Sequence, residues 1–114
     1  MNVDIYQIAA SDTAIYPGAG EYDSLEGLSY VTMGLVGEAG EIANKVKKIL
    51  RDQDGVITQE NRDDLQAELG DVMWYVAQLA NQLDVWLSIV TQRNLNKLQS
   101  RKDRGVITGS GDNR

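Results

Sequence analysis

Two stretches decide the fold: GLVGEAGEIANKVKK, residues 34–48, and ELGDVMWYVAQLA, residues 68–80. Each carries an acidic pair three residues apart, Glu38 with Glu41 and Glu68 with Asp71. On a helix that spacing puts both acids on one face. Apolar residues recur at helical intervals beside them: Val31, Leu35, Ile42, Val46 and Ile49, then Leu65, Leu69, Val72, Val76, Leu79 and Leu83. Packing the two stripes together brings four carboxylates near one another. Like charges that close repel and resist desolvation, so the cluster makes sense around a divalent cation. Hard oxygen donors, in a chain with no histidine or cysteine, select Mg2+, with Mn2+ as a substitute, over zinc. Gly34, Gly37, Gly40 and Gly70 interrupt these helices, each at a cost of up to ~1 kcal/mol, and predict close helix approach or room for a ligand.

From the acidic helices outward, an all-α bundle of about four helices is expected. Ile5, Ile8 and Ala9 predict a short first helix over about residues 3–14, ended by Tyr16-Pro17-Gly18. Asp23 with Glu26 has the form of a capping box for a second helix running to about Leu50, and Asp52-Gln53-Asp54-Gly55 supplies its stop. Thr58 is the expected N-cap of a third helix from Gln59 to Gln82, antiparallel to the second because the connection is short. Asp84 is the expected cap of a fourth, Val85 to Arg101, with Leu87, Leu95 and Leu98 inward and Asn94, Lys97 and Arg101 as a polar stripe. Residues 105–114, rich in glycine, read as an irregular tail behind a domain of residues 1–104.

Composition narrows the chemistry. At 114 residues with 42% hydrophobic and 25% charged content, the chain is one ordinary globular domain. A net charge of -6 and a pI near 4.5 disfavour DNA or RNA as a partner. The missing cysteine excludes thiolate nucleophiles and thiolate metal sites, and the missing histidine removes the usual base of serine chemistry. No apolar run approaches the ~20 residues of a membrane span, so a cytoplasmic protein without membrane contact is expected. Lys45 and Lys48 share the face of Glu38 and Glu41; either reaches a phosphate or complements the helix dipole. Tyr75, one turn past Asp71, and Tyr16 are candidates to stack on a base. Trp74 and Trp86 are read as core or subunit contacts.

The run GLVGEAGEIANKVKK, followed by ELGDVMWYVAQLA and NLNKLQSR, resembles the MazG-like members of the all-α nucleoside triphosphate pyrophosphohydrolase superfamily, in their short single-domain form, over roughly Leu28 to Arg104. The resemblance implies hydrolysis of a nucleoside or deoxynucleoside triphosphate to the monophosphate and pyrophosphate, for nucleotide-pool control or house-cleaning. It implies Mg2+ on Glu38, Glu41, Glu68 and Asp71, with Glu38 or Glu41 as general base, and triphosphate contacts from Asn94, Lys97 and Arg101. It also implies a homodimer or tetramer that completes the bundle, and host cytoplasm if the gene is carried by a phage. The C-terminal tail resembles one found in a subset of these proteins; there Asn113 or Arg114 would touch phosphate. Two other readings stand beside it: a narrower hydrolase of dUTP, dCTP or an alarmone, and a non-catalytic helical oligomer that binds nucleotide or metal.

Overall fold

The structure, a computed structural model, describes residues 1–114. It has four helices and no strand: α1 Val3–Ser11, α2 Leu25–Asp52, α3 Gln59–Gln82 and α4 Leu87–Asp103.

The helix ends show what local sequence controls. Thr58 caps α3 as expected, accepting from the Asn61 backbone while the Asn61 side chain accepts from the Thr58 N–H, so the box closes through an amide. The cap of α2 is Ser24 rather than Asp23; its hydroxyl accepts from Gly27 N at 3.0 Å. Helix α1 stops at Ser11, ahead of Pro17, as the backbone turns at Asp12 and Thr13. Asp84 does not cap α4. It adopts a left-handed φ of 53°, just past the end of α3. The start of α4 is instead capped from α1: Asp4 accepts from Ser88 N at 2.9 Å and from its hydroxyl at 2.6 Å, and Gln7 accepts from Leu87 N at 2.8 Å. A cap supplied from 80 or more residues away leaves no local trace in the sequence.

Helices α2 and α3 form the main pairing, α1 packs on α3, and α4 packs on α1 with no comparable contact to α2 or α3. The α2–α3 pair is antiparallel: Gly27 meets Gln82 at one end, Gly34 meets Tyr75, and Lys45 meets Asp64 and Glu68 towards the other. A small core of Ala10, Ala77, Ala80 and Leu87, flanked by Tyr6, Trp74, Val76 and Val85, lies where α1, α3 and α4 converge. Alanine on two faces lets the helices approach closely.

The protomer is open. Its radius of gyration is 17.1 Å, against about 13 Å for a compact chain of this length. Only 12 of 114 residues are buried, although some expected core positions are large and apolar. Val31 and Ile49 are buried as expected, but Leu69, Leu83 and Leu95 are more than half exposed and Val46 and Leu98 somewhat less so. Their stripes face away from the one neighbour the single chain provides.

Of the helix glycines, Gly34 makes the close approach, since a Cβ there would collide with the Tyr75 ring; around Gly37, Gly40 and Gly70 there is open space. Gly34→Ala should therefore lower unfolding stability by roughly 1–2 kcal/mol, the steric cost outweighing the gain in helix propensity. Gly40→Ala should raise it by about 0.5–1 kcal/mol. Denaturant unfolding of the two variants measures both, and a loss at Gly40 would show that something approaches that backbone.

Candidate metal and active site

The antiparallel pairing aligns the acidic stripe of α2 with that of α3. Glu38, Glu68 and Asp71 each place a carboxylate oxygen within 4.8 Å of the others. Glu41, one turn on from Glu38, is exposed and outside this group. Partial burial, then the charges of Asp71 and Glu68 and a hydrogen bond shared with Glu68, hold the Glu38 carboxyl above the usual carboxylate range. Oxygens bound to one Mg2+ at ~2.1 Å stand up to ~4.2 Å apart across the ion. The three carboxylate oxygens lie within 4.8 Å of one another, close to that range, so three crowded hard donors fit a divalent cation.

Lys45 is already drawn into the cluster. Its ammonium bonds Asp64 and Glu68, each at 2.8 Å, and these bonds raise its pKa well above the ordinary lysine value. Lys45 therefore acts as a built-in counter-ion to a cluster carboxylate. Asp64, one turn before Glu68 on the same stripe, has no place in the sequence reading, although its i, i+4 spacing to Glu68 could have signalled it.

Beside the acids lies an aromatic group. Tyr16 stacks on Tyr30 with ring centroids 4.8 Å apart, Trp74 meets Tyr75 edge-on at 5.0 Å, and Tyr30 and Tyr75 lie 6.4 Å apart. Burial and then the phenol of Tyr30 push the Tyr75 hydroxyl up, with smaller contributions from Glu38 and Asp71. Burial and then Asp71 do the same for Tyr6 on α1. Tyr16 is fixed by Gln82, whose Oε1 accepts from the phenol and from Gly20 N, both at 2.8 Å, while its Nε2 donates to Glu21 O. Gln82 thus staples the α1–α2 loop to the end of α3.

The polar stripe of α4 is elsewhere. Asn94 and Lys97 line a groove of about 480 Å³ with Leu83, Val85, Val90 and Arg93. Arg101 is buried beneath the C-terminal residues: its Nη2 donates to Asp112 O at 2.7 Å and its Nε has no partner. Arg114 holds that tail closed by donating to the carbonyls of Val106, Ile107 and Gly111. The tail is thus a folded loop on the end of α4, and within one chain α2 and α3 gather three acids, Lys45 and Tyr75 while the α4 residues stay apart.

Carboxylates that converge from two antiparallel helices beside aromatic rings make this an all-α scaffold with a candidate metal site. The chain belongs to the MazG nucleotide pyrophosphohydrolase family: that family's domain model matches residues 27–106. It is also 94% identical over 114 residues, the whole of both chains, to the "Gene 37 protein" of Mycobacterium phage L5. No solved structure matches it significantly. None of its helices is long and apolar enough to cross a membrane.

If the carboxylates hold a cation that Lys45 partly replaces, Mg2+ should raise the melting temperature by a few degrees. In Lys45→Met the metal-free protein should melt lower and the Mg2+-induced rise should be larger. Equal rises in both proteins would show that Lys45 and the ion do not share the site.

Proposed function

We propose that this protein is a Mg2+-dependent nucleoside triphosphate pyrophosphohydrolase, acting on ribo- or deoxyribonucleotides in the cytoplasm of a phage-infected host. The convergence of Glu38, Glu68 and Asp71 carries this reading, with the family membership behind it. In the proposed assignment those three residues would hold Mg2+ (or Mn2+), with Glu41 beside them. The bound ion would supply charge neutralisation at the phosphates and a more acidic water.

The remaining chemistry falls to the chain's own groups. Water oxygen attacks the α-phosphorus, the bond from that phosphorus to the bridging oxygen breaks, and pyrophosphate departs. Glu41 takes the water's proton: it lies one turn from Glu38, exposed and outside the crowded trio, so its charge is not already engaged. Lys45 shields Glu68 until phosphate draws it away, and Tyr75 borders the nucleotide. Asn94 and Lys97 meet the departing phosphates, where a cation offsets developing charge, while Arg101, buried under Asp112, holds the tail behind them.

One chain does not bring those α4 residues to its own acids, so the working form is a homo-oligomer. Two facts support this. Residues 93–114 hold six of the eleven cations but only two of the seventeen acids, which makes α4 and its tail a basic arm on an acidic body. The exposed apolar residues of α2 and α4, among them Met33, Val36, Leu95 and Leu98, are spread over faces that a second copy would cover. Complementary charge then seats the arm of one copy against the acids of another. Sedimentation should give a multiple of 12.6 kDa, a dimer or tetramer; a monomer at micromolar concentration would remove the composite site.

The decisive assay is pyrophosphate release from a nucleotide panel in Mg2+ and in EDTA. Glu38→Gln and Glu41→Gln should each lose at least about a hundredfold in turnover while remaining folded, and EDTA should abolish release. Metal binding without any turnover would favour the non-catalytic nucleotide-binding oligomer.

A further inference from the structure

A second cavity, of about 510 Å³, opens between α1, the α1–α2 loop and the α3–α4 turn. Its walls include Ile8 and Trp86, each about half exposed, the exposed Asp84, and three carboxamides, Gln7, Asn81 and Gln78. This volume falls in the range of small-molecule sites, and its lining of an aromatic, aliphatic groups and a few convergent polar groups has their composition.

The carboxamides form a relay of fixed polarity. Leu87 N–H can only donate, and it donates to Gln7 Oε1 at 2.8 Å; Val85 O can only accept, and it accepts from Gln7 Nε2 at 2.9 Å. The backbone therefore sets the orientation of Gln7 without ambiguity. Gln7 Nε2 also donates to Asn81 Oδ1 at 2.8 Å, so Asn81 must present its Nδ2 to Gln78 Oε1, 3.2 Å away. The relay ends at Gln78 Nε2, which has no hydrogen-bond partner in the protein although Gln78 is only 1% exposed. A buried donor without an acceptor opposes folding. Two linked facts, a cavity and an oriented unpaired donor in its wall, call for a ligand with an acceptor.

Gln78 also continues the site's own stripe. Glu68, Asp71, Tyr75, Gln78 and Gln82 follow one face of α3, and Gln78 lies two turns, ~10 Å, beyond Asp71. That is the scale on which a nucleotide extends from its phosphates to the edge of its base. Resting on the nucleotide reading above, we propose that this cavity binds the nucleobase, with Gln78 Nε2 donating to an oxo group and Trp86 flanking the ring. A base with an exocyclic amine at that position sets N–H against N–H, so uracil-type and guanine-type edges are favoured over cytosine and adenine. Gln78 is then a specificity-determining residue, and Gln7 and Asn81 position it.

The test uses nucleosides without phosphate, so that neither metal nor turnover enters. Binding of uridine against cytidine, and of inosine against adenosine, is measured by ligand-observed NMR on the full chain and on Gln78→Met. The wild type should favour the oxo member of each pair by about tenfold, and in a Gln78→Met variant that still folds the ratio should fall towards one. No nucleoside binding at millimolar concentration, an unchanged ratio in the folded variant, or a preference for the amino bases would each overturn the proposal. The pyrophosphate assay is independent: oxo nucleosides that bind through Gln78 to a protein without turnover would leave the pocket standing and remove the reaction.

Discussion

Holding Glu38, Glu68 and Asp71 together is the constraint on which the rest of the structure depends. Three carboxylates within 4.8 Å push apart the two helices that carry them, so α2 and α3 need attraction elsewhere along their length. It is distributed along the pair. Lys45 bridges the helices on one side of the cluster, Tyr75 settles on Gly34 on the other, and at the far end Gln82 ties α3 to the loop that delivers α2. The repulsive centre is thus clamped on both sides, which keeps the acids preorganised. A site that collected its ligands only on binding would have to do the electrostatic work during the reaction.

What the sequence made legible follows from the range of the interactions involved. The acidic pairs, the α3 boundaries and the antiparallel turn rest on contacts within a few residues, and Glu38, Glu68 and Asp71 meet because helical spacing sets each stripe and the short turn pairs the two helices. Leu69 and Leu95 belong to stripes just as regular, yet they lie open, because periodicity identifies an apolar face without saying what covers it. The cap of α4 shows the same limit. Asp84 has the right residue type in the right place, but Asp4 and Gln7 arrive from the other end of the chain and displace it from that role. Arg101 has the spacing of a phosphate ligand, and only the folded tail reveals that its guanidinium lies under Asp112.

The openness of the protomer and its charge asymmetry have one explanation. A chain that buries 12 of 114 residues leaves much of its apolar surface unpaired, and the proposed second copy would cover it. Its basic arm stands clear of its acidic cluster, an arrangement that gains little within one molecule and much between two. The proposed composite site would separate the two halves of the chemistry: acids to gather a cation on one copy, cations and amides to receive phosphate on the other. In that proposal assembly would be a condition for activity, because neither half would neutralise a triphosphate alone.

The α3 helix ties these levels together through a single face. Glu68 and Asp71 carry charge, Tyr75 adds a ring, and Gln78 and Gln82 carry amides, so the stripe passes from ionic to aromatic to neutral polar over four turns. A nucleotide presents the same order from triphosphate to sugar to base. The correspondence has a physical basis: a rigid helix spaces its side chains at 1.5 Å per residue, and a ligand lying along it is read at fixed distances from the metal. Substitutions at Gln78 would then change which base fits without disturbing the carboxylates two turns away, and one scaffold could serve different nucleotides by varying the far end of one helix.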